Sequence, residues 1–405
     1  MAAPPGGPPD SLPPRILVVH PESGAVVRNL QGDAVIQFDE VIDEMAGGAG
    51  GGGAGAVAGI GRQVILSPVA GDVQVSWHRK SIHVKPSEGW KPDRVYHLEV
   101  LPGIVDLSRN VMKKSAMVVF STGPALPHAA ISGTVLQWVE QRALARAVVR
   151  AARLPDTVAY VTLADSGGGF TLTDAPSGRY RVMAIQDQNS NRQLDPREAF
   201  DSTTVTVDSS ARVLLWVFPH DTAGPRLRSA DPVDSVAFRL TFAQPLDPYR
   251  ALDTARVHLF ALPDTTPVPL EGVWTGAQYD SIQTRARTVA DSLRRASDTT
   301  AHPGTPPAAG QRAPAAGRDT ALARADTTRI RQLLRQRPVP SDRFVARSAT
   351  RLAPGAKYLI RVRGATNLTG ARADGQAVLE APAPKPAPSP PGRDTTRARP
   401  GAKPP

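Results

Sequence analysis

The stretch from Gly168 to Glu198 reads GGFTLTDAPSGRYRVMAIQDQNSNRQLDPRE and contains a β-run, a Pro/Gly turn, a second β-run and an acidic loop. Short runs of β-branched and aromatic residues, separated by turn residues, predict antiparallel strands. The same alternation recurs along most of the chain. The sequence therefore predicts an all-β protein built from tandem antiparallel β-sandwiches.

The composition limits the kinds of site and partner that the chain can have. The chain has 405 residues, with 40 prolines, 34 glycines and no cysteine. The missing cysteines exclude disulfides, zinc-thiolate sites and cysteine nucleophiles. A net charge of +11 fits an anionic partner, or arginines spread over linkers. No run approaches the roughly 18 apolar residues of a membrane span. The start lacks the pattern of a signal peptide, as expected of a chain that begins behind a cleaved leader or lipid anchor.

Changes in composition divide the chain into successive parts. We predict a Pro/Gly-rich leader at 1–14, β-sandwich domains at 15–124, 128–220 and 224–380, and a disordered Pro-rich tail at 381–405. An insertion at 281–342 is rich in Arg, Asp, Thr, Ala and Pro, which predicts disorder. Inside it, TRIRQLLRQ (328–336) predicts a short basic helix. The glycine-rich run at 46–59 predicts a flexible loop.

The first and third domains repeat one pattern. VIQFDEVIDE (35–44) matches FRLTFAQPLDP (238–248), and KPDRVYHLEVLPGIVDLSRN (91–110) matches APGAKYLIRVRGATNLTGAR (353–372). Each pair places a strand, an acidic turn, a strand and an Asn-containing turn in the same order. Repetition of this kind indicates two copies of one domain.

The motifs of the first domain resemble those of the bacterial SbsA-type Ig-like domain. The residues that carry the resemblance are the turn from Pro21 to Gly24, FDEVID (38–43), WKPDRVYHLEV (90–100), VDLSRN (105–110) and FSTG (120–123). Together they span essentially all of 15–124. The third domain matches less well, because AVLEA (377–381) stands where the closing F-x-T motif belongs.

The second domain resembles a transthyretin-like or carboxypeptidase-regulatory-like β-sandwich. The resemblance rests on ISGTV (131–135), on GGFTLTDAPSGRYRVMAIQD (168–187) and on the loop that follows. The order of the three domains resembles that of Ig-like-domain envelope lipoproteins of bacteria. The resemblance implies a non-enzymatic protein of the cell envelope, either periplasmic or surface-exposed.

The loop after this segment has the ligand spacing of a calcium site. Positions 1, 3, 5, 7, 9 and 12 are held by Asp187, Asn189, Asn191, Gln193, Asp195 and Glu198. Calcium prefers six to eight hard oxygens, and a bidentate carboxylate at position 12 completes its shell. Arg192 stands where the pattern prefers glycine. The alternative is an Asx-rich turn that satisfies its own backbone without an ion.

Other residues offer weaker signals. The sequence contains no G-x-S-x-G, H-E-x-x-H or P-loop motif, so we predict no catalytic residues and no enzyme activity. His78 and His83 lie on neighbouring β-runs and are either a metal pair or surface histidines. The five tryptophans fit core packing, and an exposed pair could instead stack on sugars.

We therefore expect a non-enzymatic structural or binding module of the bacterial cell envelope, with an envelope polysaccharide or protein as its partner. The alternative is a carbohydrate-binding or accessory component of a surface enzyme system, which an exposed aromatic row would support. A third hypothesis is binding of an anionic polymer through the arginines of 281–342. Nucleic acid is an unlikely polymer, because no aromatic residues alternate with the basic ones.

Overall fold

The described part of the chain is almost entirely β-structure. A computed structural model describes residues 10–44, 59–250, 252–297 and 328–382. Several antiparallel sheets account for nearly all of its regular structure, which confirms the all-β prediction. The predicted loop at 46–59 and the predicted tail lie almost wholly outside the described residues, as do residues 1–9 of the leader.

The first domain is a sandwich of two sheets. Its strands are β1 (Ile16–His20), β2 (Ala34–Phe38), β3 (Val64–Ser67), β4 (Val73–His78), β5 (Ser81–Pro86), β6 (Val95–Val100) and β7 (Ala116–Ser121), with a 3-10 helix at Gly59–Gln63. The sheet orders are β1-β2-β5-β4 and β3-β6-β7. Phe38, Tyr96 and Phe120 are fully buried between the sheets and anchor the core.

The second domain is also a two-sheet sandwich. Its strands are β8 (Ala129–Gln137), β9 (Arg142–Ala143), β10 (Val148–Arg153), β11 (Ala159–Leu163), β12 (Gly169–Ala175), β13 (Gly178–Ile185), β14 (Phe200–Val207) and β15 (Ser210–Val217). The sheet orders are β11-β10-β13-β14 and β12-β8-β15. The turn between β12 and β13 therefore carries the chain from one sheet to the other. There Tyr180, fully buried, donates its hydroxyl to the carbonyl of Pro176 at 2.6 Å.

The third domain repeats the strand order of the first. Its strands are β16 (Leu227–Pro232), β17 (Ala237–Leu246), β18 (Val257–Ala261), β19 (Thr266–Val268), β20 (Leu270–Thr275), β21 (Ser341–Ser348), β22 (Lys357–Thr366) and β23 (Arg372–Glu380). The sheet orders are β16-β17-β21-β20 and β19-β18-β22-β23, with β19 as the added strand. A two-residue turn at Arg79 and Lys80 joins β4 to β5. The equivalent connection, β20 to β21, carries the insertion.

The disorder predicted for 281–342 is corrected at both ends of that segment. Helix α1 spans Gly276–Ser297, and a short helix spans 328–334, where a basic helix was predicted. Thr275 and Gln278 exchange backbone-to-side-chain hydrogen bonds at 3.3 and 3.0 Å, a capping box that starts α1. Tyr279, 6% exposed, packs against Val345 and so fixes its first turn. Residues 298–327 lie outside the described part.

The three sandwiches have three separate hydrophobic cores, but the chain forms two compact units. The described residues up to Thr222, together with 328–340, make up unit 1. The described residues of the third domain, with α1, make up unit 2. The first and second domains therefore pack as one body, and their junction lies beside the acidic loop.

Candidate functional site

The acidic loop begins directly after β13, so a central strand of its sheet supports its first residue. The carboxylate of Asp187 accepts hydrogen bonds from the backbone N–H of Ser190 at 2.7 Å and of Arg192 at 2.8 Å. Ser190 and Arg192 have φ angles of 62° and 59°. These left-handed conformations bend the chain back toward Asp187. Arg192 occupies the position at which a calcium loop prefers glycine.

Glu198 closes the loop. Its side chain is 5% exposed, and its two oxygens accept the backbone N–H of Gln188 at 2.8 Å and of Asp195 at 3.1 Å. The amide groups of Asn189 and Asn191 both donate to one oxygen of Asp195, at 2.6 and 3.0 Å. The structure thus brings both ends of the loop together through the residue predicted to supply the bidentate carboxylate.

The loop combines hard oxygen donors with a self-satisfied backbone. The side-chain oxygens of Asn189 and Asn191 each also accept the backbone N–H of the residue two positions later. For Asn191 this donor is Gln193, at 2.8 Å. Each such oxygen retains a lone pair, so the residue types fit a calcium ion. The carboxylates of Asp187, Asp195 and Glu198 nevertheless do not converge within 4.8 Å of one another in this arrangement.

One carboxylate group among the described residues does converge. Asp10, Glu40 and Asp106 each place an oxygen within 4.8 Å of the others. Asp106 is buried and accepts both the backbone N–H and the side-chain amide of Asn110, at 2.7 and 2.8 Å. Burial and the neighbouring negative charges raise the pKa of Glu40. Sequence spacing could not reveal this group, because its members are far apart in the chain and Asp10 lies in the predicted leader.

The side chain of Arg192 leaves the loop and enters the first domain. Its guanidinium donates to the carbonyls of Val64 at 2.6 Å and Arg62 at 2.5 Å. Its own carbonyl accepts a hydrogen bond from Arg150 at 2.9 Å, which holds the backbone in place. Burial lowers the pKa of Arg192, and the charges of Asp187 and Glu99 oppose that shift. Arg192, which replaces the glycine of the calcium pattern, therefore forms a contact between the two domains.

This contact belongs to a junction between two edge strands. β3 and β11 are each the outer strand of a sheet, and they pack against each other. The backbone N–H of Val161 on β11 donates to the hydroxyl of Ser67 on β3 at 3.0 Å. The hydroxyl of Thr162 donates to Glu99 at 3.0 Å, and burial raises the pKa of that carboxyl. Side chains thus supply partners for groups that an open sheet edge leaves unpaired.

His97 lies in the same junction on β6. It is 1% exposed, and its ring centroid is 4.8 Å from that of Tyr160. Neither ring nitrogen has a partner within hydrogen-bonding geometry. Burial lowers the pKa of His97 to about 4, against a weaker opposing effect of Asp174. The junction therefore accepts a neutral imidazole and disfavours a charged one.

The remaining candidates from the sequence, the histidine pair and the tryptophans, have contacts within the protein. The rings of His78 and His83 lie 4.2 Å apart, and His83 is 3.5 Å from a carboxylate oxygen of Asp33. All five tryptophans are buried or half-buried. The indole N–H groups of Trp77 and Trp90 donate to backbone carbonyls at 3.0 and 2.7 Å. Packing within the first domain thus accounts for Trp77 and Trp90 better than a sugar-stacking row does.

Comparison with known proteins finds a similarity for part of the chain. A family model described as the bacterial Ig-like domain matches residues 10–122. No curated protein matches the chain. No described helix combines the length and apolar character that a membrane crossing requires.

Three solved structures illustrate the more distant similarities. The N-terminal part of the bacterial S-layer protein SbsC is 11% identical, with a TM-score of 0.21 over 39% of this chain and 24% of that one. BcpA, the major pilin subunit of Bacillus cereus, is 11% identical, with a TM-score of 0.18 over 51% of this chain and 71% of that one.

The third is native alpha-2-macroglobulin from Escherichia coli, 12% identical, with a TM-score of 0.18 over 62% of this chain and 84% of that one. The chain thus spans about a quarter of the SbsC fragment that it matches. TM-scores this low do not indicate a shared overall fold, and nothing about function follows from them.

We predict that Arg192→Gly destabilises unit 1 by roughly 3 kcal/mol, because it removes two charge-assisted hydrogen bonds to the carbonyls of Val64 and Arg62. Glycine accepts the left-handed conformation, so backbone strain cannot explain such a loss. Urea unfolding of the full chain, followed by tryptophan fluorescence, measures the change. Arg197→Ala, an exposed arginine of the same loop, is the control and should stay within about 0.5 kcal/mol. Equal effects of the two variants would contradict a role for the guanidinium.

We also predict that unit 1 loses stability as the pH falls from 6.5 toward 4. The folded pKa of His97 is about 4 against a usual 6.5, so in this window the unfolded chain binds a proton that the folded chain rejects. Linkage gives a loss of roughly 3 kcal/mol. His97→Phe should remove that part of the pH dependence measured by urea unfolding, whereas His20→Gln, at an exposed position, should not. An unchanged pH profile in His97→Phe would overturn the assignment.

Proposed function

We propose that this chain is a non-enzymatic structural module of the bacterial cell envelope, in which the first two domains act as one stiff body. The bacterial Ig-like match over 10–122 supports the general class. The observation that carries the proposal is the contact of Arg192 with the carbonyls of Arg62 and Val64, which ties the second domain to an edge strand of the first. A buried, hydrogen-bonded junction resists the relative motion that is the usual expectation for neighbouring domains.

Several narrower assignments form part of this proposal. The first domain is of the SbsA type, the second is transthyretin-like or carboxypeptidase-regulatory-like, and the third, at 224–380, is a second Ig-like domain. The third assignment draws support from its strand order, which repeats that of the first domain. The protein belongs to a lipoprotein-like envelope class and contacts an envelope polysaccharide or protein.

Cell fractionation tests the proposal. The natural gene, including any coding sequence upstream of Met1, is expressed with an epitope tag in its own host. The tagged protein should be recovered in the envelope or periplasmic fraction, and the purified chain should sediment with isolated envelope material. Recovery in the cytoplasmic fraction, with no sedimentation, would contradict the proposal.

We further propose that the loop 187–198 binds calcium and thereby fixes the arm from which Arg192 reaches the first domain. Support comes from the hard-oxygen spacing, from the left-handed backbone of Arg192 and from the closing position of Glu198. Asp187, Asn189, Asn191, Asp195 and Glu198 would provide side-chain oxygens, and Gln193 its backbone carbonyl.

Calcium that binds the folded state must raise the melting temperature. We predict that millimolar calcium, compared with chelator, raises the thermal midpoint of unit 1 in the full chain. Glu198→Gln should abolish most of this calcium-dependent difference, because it removes the bidentate carboxylate. Glu40→Gln, in the carboxylate group formed with Asp10 and Asp106, is the matched control and should retain it. Equal midpoints with calcium and with chelator in the native chain would leave the loop as an Asx turn.

A further inference from the structure

An aromatic cluster lies at one end of the second domain. Trp138 follows β8, and its ring makes an edge contact with Phe218 at 5.5 Å. The ring of His220 stacks on Phe218 at 4.2 Å and on Phe200 at 3.8 Å. Trp216 on β15 lies on the same side, because it shares a guanidinium contact with Trp138.

That guanidinium belongs to Arg337. Its central carbon lies 5.3 Å from the ring centroid of Trp138 and 5.2 Å from that of Trp216. The indole N–H of Trp138 donates to the carbonyl of Pro338 at 3.0 Å. Two successive residues are thus held by different means, one through its charge and the other through its backbone. An arginine suits such a site because its planar, weakly hydrated guanidinium stacks on aromatic faces.

A carboxylate completes the surroundings. Asp201 accepts the backbone N–H of Trp216 at 2.7 Å, so its carboxylate is held against β15. Burial raises the pKa of Asp201, and the positive charge of Arg337 opposes this shift. The site therefore combines two indole faces and a negative charge, which complement a guanidinium, with an indole N–H that donates to the backbone carbonyl of the next residue.

The occupant comes from a distant part of the sequence. We call residues 328–340 the strap. The strap contains the short helix 328–334, groups with unit 1, and is followed directly by β21 of unit 2. It belongs to the insertion for which composition alone predicted disorder. With the strap in place, Trp138 is 5% exposed and Trp216 is 2% exposed.

We propose that the aromatic cluster is a binding site for an arginine-containing peptide, and that the strap is its resident occupant. This goes beyond a structural role, because it assigns the second domain a site that recognises a peptide. The strap is part of the same chain, so its effective concentration at the site is high and it excludes free peptides. Removing the guanidinium of Arg337 should release the strap and open the site.

A peptide-binding experiment on the full chain tests this. The probe is a fluorescein-labelled peptide that copies residues 331–341, RQLLRQRPVPS, and fluorescence anisotropy measures its binding. The Arg337→Ala chain should bind this peptide at least about tenfold more tightly than the native chain, whose site is occupied. A peptide with lysine in place of Arg337 should bind the Arg337→Ala chain about tenfold more weakly than the arginine peptide.

Two further variants keep the result interpretable. Arg337→Ala combined with Trp138→Phe retains an aromatic ring but loses the indole N–H, and should weaken peptide binding. Arg335→Ala, an exposed arginine of the same strap, should leave the site closed, as in the native chain. The proposal is overturned if Arg337→Ala binds the peptide no better than the native chain does. It is equally overturned if the lysine peptide binds as tightly as the arginine peptide.

Discussion

The outer edges of β3 and β11 impose the constraint on which unit 1 depends. An edge strand carries backbone N–H and C=O groups without ladder partners, and burying them unpaired is costly. In this chain, side chains form hydrogen bonds with these groups in place of a further strand. Ser67 accepts the N–H of Val161, and Arg192 donates to the carbonyls of Arg62 and Val64. Two sandwiches can therefore bury their edges against each other and still keep separate cores.

The junction is polar, so it specifies one arrangement of the two domains more than it adds to their stability. Glu99 and His97 are buried and Arg192 is half-buried. Burial raises the pKa of Glu99 and lowers the pKa of His97 and of Arg192, and thus favours the neutral form of each. Buried ionisable groups contribute little net stability, but removing one partner is costly because it leaves the other uncompensated. One relative placement of the two domains pairs Glu99 with Thr162, and Arg192 with the carbonyls of Arg62 and Val64. A shifted placement would leave Glu99 and Arg192 unpaired.

The third domain shows how much a repeated fold can accommodate at one turn. The first domain joins β4 to β5 through Arg79 and Lys80, whereas the third places residues 276–340 at the same point of the topology. Loop length costs little entropy once a hairpin is held by its sheets, so an insertion there is tolerated. The inserted residues then gained contacts of their own, through Tyr279 at one end and Arg337 at the other.

The sequence by itself determined the all-β class and the repeat of the first domain's pattern in the third. Alternating apolar residues and turn residues act within a few positions. The match between 35–44 and 238–248 predicted two copies of one domain, and the structure shows that these share one strand order. It also indicated the loop closed by Glu198, because ligand spacing is a local property. Local patterns misjudged the insertion, although the Thr275–Gln278 capping box directly before it was readable.

Tertiary structure alone decided what long-range packing controls. Arg192 was visible as a departure from a motif, but its partners lie more than a hundred residues away in the chain. The pairing of β3 with β11, the neutral state of His97 and the placement of Arg337 between two tryptophans likewise need residues distant in sequence. Periodicity reports which face of a strand is buried, and it contains no information about which edge or side chain will cover it.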